Sequence, residues 1–174
     1  LENLDLVHQF VSSNTPIRGR IVQLTRSYAD AVQYQDLTVE GFNLLGEALA
    51  AVSLVADSLK FDGSVTLQAQ GQGKISKLVA ECHGGYFIRG LAMNNEKVKS
   101  SAGESDGISL ISGNQLAISL LPQSDKRMQP YQGIVELQKE GLAESLSSYF
   151  KSSEQLLTSF VLTCSNGKSA GLLL

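Results

Sequence analysis

The chain has 174 residues, 43% hydrophobic and 18% charged, with 14 basic against 17 acidic residues and a net charge of −3. That composition excludes a globally disordered chain and predicts one domain with a sizeable core. It also argues against nucleic acid and an anionic membrane as partners, since both call for a dense basic face. Two cysteines, Cys82 and Cys164, are too few for a disulfide scaffold or a four-thiolate zinc site. They fit a reducing compartment. The first ten residues hold Glu2 and Asp5 and no basic start, so no signal peptide is expected and the cytoplasm is the default location.

From the N-terminus, Leu4, Val7, His8 and Val11 form an amphipathic stretch, with His8 read as a solvated helix residue. Arg18 and Arg20 flank Gly19 in a segment entering a strand, and ion pairs to acids at the core edge are their expected use. Thr38 is a cap for a long helix, with Glu40 in its first turn. Phe42 to Leu59 is the longest apolar stretch. Its acids Glu47 and Asp57 would each cost ~2.5–3.5 kcal/mol at a bilayer centre, which argues against a membrane span. Phe42, Leu45, Leu49, Val52 and Ala56 make one face, and Leu44, Ala48, Ala51, Val55 and Leu59 widen it almost all round. Such a helix must be covered on most sides, by sheet or by a second subunit.

Phe61-Asp62-Gly63 reads as a turn. Ser64 to Gln70 alternates like a half-buried antiparallel strand, and Ile75 to Cys82 and Tyr86 to Ala92 continue the meander over short glycine turns. Asn94 to Gly107 is a polar, serine-rich loop. Ile108 to Ile111 and Leu116 to Leu121 are expected to form a hairpin. Pro122 to Pro130 is a second polar loop, Tyr131 to Leu137 a strand, and Gly141 to Gln155 an amphipathic helix. Phe160 to Cys164 and Ala170 to Leu174 form a closing hairpin over Asn166-Gly167. The chain stops inside an apolar run, so further sequence is expected beyond it.

Chemistry-bearing patterns are sparse. Gly71-Gln72-Gly73-Lys74 lacks a third glycine and lies between strands, so it offers no helix N-terminus to a phosphate. Gly167-Lys168-Ser169 lacks the earlier glycine of a phosphate loop, that position being Leu162. Cys82-His83 sets a thiol beside an imidazole, but adjacent strand residues point to opposite faces. With two histidines and no Cys-x-x-Cys, no metal site is expected. None of the 17 acids sits in a recognisable catalytic frame. No catalytic, cofactor-binding or metal-binding residue is therefore assigned.

Several segments recur together in one known pattern. They are Ile17-Arg18-Gly19-Arg20-Ile21-Val22, the long helix into Leu59-Lys60-Phe61-Asp62-Gly63, and Val65-Thr66-Leu67-Gln68 with Gly71-Gln72-Gly73. Tyr131-Gln132-Gly133-Ile134-Val135, Tyr149-Phe150-Lys151-Ser152-Ser153-Glu154-Gln155 and Lys168 to Leu174 follow. In this order the set resembles the bacterial 33 kDa heat-shock protein family, the redox-regulated holdase chaperones. Leu157 stands where that family usually has proline, Ala170-Gly171 carries one glycine where relatives often have two, and the Asn94 to Gly107 loop matches no pattern.

The resemblance implies an N-terminal core, a linker and a small zinc domain whose cysteine pairs form the redox switch. It covers the core alone, so residues 1–174 are expected to be one chaperone core domain without the linker or zinc domain. It implies that the linker and zinc domain cover part of the apolar surface that holds clients. Implied partners are unfolding proteins and a second copy in a homodimer, with zinc only in the missing domain. Cys82 and Cys164 have neither switch spacing. The expected fold is α+β, an antiparallel sheet core packed with a long buried helix and a second amphipathic helix. Two other functions stay open: a small enzyme using Cys82 with His83 or a carboxylate pair, and a purely structural assembly domain. The client-binding residues cannot be read from the sequence.

Overall fold

The computed structural model describes residues 5–59, 62–85, 87–96, 110–111, 115–123 and 129–174. In chain order the elements are β1 (Leu6–Val11), β2 (Arg18–Leu24), α1 (Arg26–Val32), α2 (Val39–Leu59), β3 (Gly63–Gln70), β4 (Ile75–His83) and β5 (Phe87–Asn94). They continue with β6 (Gln115–Pro122), β7 (Tyr131–Glu136), α3 (Leu142–Ser152), β8 (Phe160–Ser165) and β9 (Lys168–Leu173). The strands form two antiparallel sheets, ordered β1-β2-β9-β8 and β5-β4-β3-β6-β7. This is the expected α+β class, with two sheets where the sequence predicted one sheet core.

The long helix lies between the sheets. It packs on β3, β4 and β5 on one side and on β2, β8 and β9 on the other. Leu45, Ala48, Leu49, Ala51, Val52, Leu54 and Val55 are all buried there. By length and composition α2 could cross a membrane, but both sheets of its own chain occupy its apolar faces. Thr38 caps it as expected, its Oγ1 accepting the Gly41 N–H at 3.2 Å. Gly46 allows the close approach of β8: a Cβ there would lie 2.3 Å from Cys164 Sγ. Buried hydroxyls inside the sandwich are satisfied, Ser169 donating to Gly46 O at 2.6 Å and Ser53 to Leu49 O at 2.8 Å.

Three expectations are corrected. His8 lies on strand β1, opposite Ile21 of β2, not on a helix. Its apolar neighbours at helical spacing were overridden by pairing to β2, which supplies backbone partners that a short N-terminal helix would lack. Of the expected Ile108 to Ile111 hairpin arm, Leu110 and Ile111 form a turn, while Ile108 and Ser109 lie outside the described residues. The Leu110 and Ile111 carbonyls accept the Ile75 and Gly73 N–H groups at 2.6 and 2.9 Å, so this segment braces the β3–β4 turn. Strand β6 instead pairs with β3 and β7. His83, expected in the turn, is the last residue of β4. Tyr86, most of the Asn94 to Gly107 loop and 124–128 of the second loop lie outside the described residues.

Helix α1 was not foreseen. Its capping group is remote: the Asp5 carboxylate accepts the Thr25 N–H at 2.7 Å and the Ser27 N–H at 2.5 Å. Partial burial raises the Asp5 carboxyl, but those backbone donors outweigh it and hold the group below its ordinary value. The closing hairpin is as expected. Asn166 and Gly167 have φ of 50° and 72°, the left-handed pair that a two-residue turn requires.

Strand β5 is an edge, and the connection between α1 and α2 seals it. Gln35 Nε2 donates to Gly90 O at 3.0 Å, and Gln35 Oε1 accepts the Ala92 N–H at 2.9 Å. One side-chain amide thus stands in for a neighbouring strand, which blunts edge-to-edge pairing. Replacing it by alanine (Gln35→Ala) is expected to lower stability by about 1–2 kcal/mol and to increase self-association. Denaturant unfolding and size-exclusion chromatography read the two effects, and an unchanged unfolding midpoint would deny Gln35 this role.

Among the described residues Glu47 is the carboxyl that the fold shifts upward. Burial on α2 pushes its carboxyl up to about 7 from an ordinary 4.5. The folded state therefore binds this proton more tightly than the unfolded chain does. Stability should rise as pH falls through about 7 and level off near 4.5. Allowing for partial exposure, the gain is about 2 kcal/mol, and Glu47→Gln should flatten it. Unfolding free energies measured across that range check the sign, and a fall in stability on acidification to pH 5 would contradict it.

Candidate binding surface

The fold separates the two cysteines from each other and from the imidazoles, and sets His83 with Glu81 and Arg89 around an open cavity of about 330 Å3 that has no nucleophile among its described lining residues. Cys82 is buried in β4 between Val65 of β3 and Ile88 of β5. Burial pushes its thiol up to about 11, the opposite of what a nucleophile needs. His83 follows on the same strand and so projects to the other face. Cys164 is buried in β8, against Gly46 of α2 and within 3.9 Å of Phe42 O. The two thiols are free and lie in different sheets. They do not fit a zinc site, and among the described residues no group of three His, Cys, Asp or Glu could hold a metal ion.

The glycine motifs are turns. The Gly71 and Gly73 N–H groups already bond to Ser76 O and Ile111 O, so the amides a phosphate would use are taken. Gly167 lies in the β8–β9 hairpin. Arg20 pairs with Asp57 of α2 at 2.6 Å, the structural use expected for it, and Gln9 bonds the same carboxylate at 2.8 Å. Arg18 is exposed. Glu47 and Glu140 do share a cavity, of about 170 Å3, walled by Leu44, Leu78, Leu116 and Leu142. That volume is below the ~300 Å3 at which small-molecule sites begin, and among the described residues lining the cavity there is no nucleophile or basic group.

The remaining chemistry is on the outer faces of the sheets. Each sheet turns one face to α2, so its alternate residues face outward. On the five-stranded sheet the outer centre is mixed, with Val79 and Ala117 flanking Gln68 among polar groups. Gln68 and Thr66 occupy β3, the Arg89–Glu81 pair at 2.8 Å bridges β5 and β4, and Gln132 donates to Ser119 at 3.2 Å. Its exposed apolar residues lie on the outer strands, Phe87, Leu91 and Met93 at one edge and Leu121 and Ile134 toward the other.

The four-stranded sheet differs. Val22, Leu24, Phe160, Cys164 and Leu173 face α2 and are buried. The opposite face carries His8, Ile21, Leu172 and Val161 in one cross-strand row. Phe10 lies beside that row, its ring over Gly19, where a Cβ would come within 2.1 Å of it. The next row is mixed, Leu6 and Ala170 alternating with the exposed Gln23 and Thr163. Val161 is 56% exposed, Ile21 47% and Phe10 42%. Among the described strand residues the one ionic group on this face is Lys168, at the hairpin end.

Sequence reasoning left this surface unassigned, although a signal for it exists. Ile21-Val22, Val161-Leu162 and Leu172-Leu173 put adjacent apolar residues on opposite faces of three neighbouring strands. A strand apolar on both faces is built to be covered on both.

Comparisons with known proteins agree with the resemblance seen in the sequence. The family profile described as Hsp33 protein matches residues 5–174. The 33 kDa chaperonin of Pseudomonas syringae pv. syringae is 39% identical over 99% of this chain and 56% of its own length. That of Azotobacter vinelandii is 38% identical over 100% of this chain and 57% of its own. The chain thus spans a little over half the length of these curated relatives. The crystal structure of the 33 kDa chaperonin from Thermotoga maritima superposes with a TM-score of 0.77 at 23% identity, over 97% of this chain and 60% of that one, and shares the fold. On the profile match and these identities, the chain belongs to the Hsp33 family.

Proposed function

We propose that this chain is the client-holding core of a redox-regulated holdase, and that the outer face of the four-stranded sheet is its client surface. The observation that carries this reading is the apolar row Ile21, Leu172 and Val161, with Phe10 beside it, on a face that no described element packs against. Holding an unfolding protein requires water-accessible apolar area that gains free energy when a client covers it. It requires no catalytic constellation. Membership of a family whose relatives are named chaperonins supports the same class. In this reading the zinc-bearing switch belongs to the part of the protein outside the 174 residues, and covers the face until oxidation releases it. A homodimer in the cytoplasm is the assembly and compartment that go with it.

The enzyme alternative is not favoured, since Cys82 is buried with a raised thiol and is separated from its imidazole neighbour.

The test is light scattering of a chemically unfolded client diluted into buffer with and without the chain. Suppression is expected under both reducing and oxidising conditions. Ile21→Lys combined with Val161→Lys should remove most of it while leaving the thermal midpoint within about 3 °C, as exposed substitutions do. Undiminished suppression by a folded double variant would place the client surface elsewhere. Cys82→Ser should leave suppression unchanged in both conditions. Loss of function in that folded variant would instead revive the thiol chemistry.

A further inference from the structure

A second cavity, of about 160 Å3, opens where the C-terminal end of α2 meets α3 and the five-stranded sheet. Most of its wall is apolar: Val55 and Leu59 of α2, Ile118 and Leu120 of β6, and Phe150 of α3. The remaining wall is Tyr131 of β7, Tyr149 of α3 and Glu154 just beyond that helix. Tyr131 Oη donates to Glu154 Oε1 at 2.6 Å, and Tyr149 Oη lies 3.1 Å from the same oxygen. The two hydroxyls also bond each other. Gly133 leaves the room for this, since a Cβ there would lie 1.9 Å from the Tyr149 hydroxyl.

The phenols orient the carboxylate through one oxygen. Burial first, then the contacts with Tyr131 and Glu154, keep the Tyr149 phenol protonated well above its ordinary range, so it stays a donor. No hydrogen bond from the described residues reaches the other oxygen, Oε2. The cavity is thus an apolar slot with an oriented, half-engaged carboxylate at its mouth.

We propose that this slot receives a single basic side chain, arginine or lysine, from a bound client segment. This rests on the holdase reading. Volume argues for a side chain, because small-molecule pockets start near ~300 Å3. The apolar walls suit an aliphatic stem, which Lys and Arg bury while their heads stay polar. Charge complementarity selects a cation, since Glu154 is the one ionic group among the described residues of the lining. The Tyr131 ring adds an aromatic face of the kind that attracts a cation. Helix α3 also packs on β8, an edge strand of the apolar face, so the slot is one helix away from the client surface.

The experiment uses the whole chain and three fluorescent peptides of equal apolar content, with arginine, lysine or glutamine at one central position. Anisotropy gives their affinities. The arginine and lysine peptides should bind about tenfold more tightly than the glutamine peptide, as charge-assisted bonds allow. Glu154→Gln should erase that ratio without changing the glutamine peptide's affinity, and Tyr131→Phe should reduce it. Glu136→Gln, the same charge change at an exposed position on β7, should retain it. Equal binding of all three peptides to the unaltered chain would overturn the slot alone. So would a preference that survives Glu154→Gln, or one that Glu136→Gln removes equally. A chain that binds none of the peptides would overturn the holdase reading and the slot with it.

Discussion

A helix that is apolar almost all round cannot be left in water on any side, and this constraint organises the molecule. From Leu45 to Val55 every residue of α2 except Glu47 is buried. One sheet can cover only one side of a helix, so the chain builds two and closes them around α2. At ~25 cal/mol per Å2 of apolar surface removed from water, this burial outweighs any single polar contact in the structure. The close approach it demands explains Gly46, beside Cys164. It also explains Ser53 and Ser169, whose hydroxyls bond carbonyls of the helix itself.

Covering the helix from both sides leaves each sheet with a second face, and the two outer faces are not alike. The five-stranded sheet sets Gln68, Thr66 and the Arg89–Glu81 pair outward, with Val79 and Ala117 beside them. Its β5 edge is closed by the Gln35 amide. The four-stranded sheet sets Phe10, Ile21, Leu172 and Val161 outward instead. Both outer faces carry exposed apolar residues, but the five-stranded one sets them among ionic and amide groups, whereas Lys168 is the one ionic group among the described strand residues of the other. The contrast is what a holding surface requires, and the absence of any assembled nucleophile or metal cluster among the described residues is compatible with it.

Much of this was legible because the signals are local. The all-round apolarity of Phe42 to Leu59, the Thr38 cap, the meander from β3 to β5 and the Asn166-Gly167 hairpin each depend on neighbours in sequence. What was missed depends on distant ones. Helix α1 is capped by Asp5, 20 residues before Thr25, and no local cap marks its start. His8 became a strand residue because β2 lies alongside it. Leu110 and Ile111 were pulled out of a hairpin by the β3–β4 turn they brace. The apolar outer face was hidden for a related reason. Apolar doublets such as Ile21-Val22 show that both strand faces want cover, but only the topology tells which face α2 takes.

The most direct measurement is amide hydrogen exchange on the chain alone and with a bound unfolded client. Added protection is expected in β1, β2, β9 and β8, centred on Ile21, Leu172 and Val161, with the outer centre of the five-stranded sheet unchanged. Protection centred on β3, β4 and β6, or none in the four-stranded sheet while the client is bound, would contradict the account.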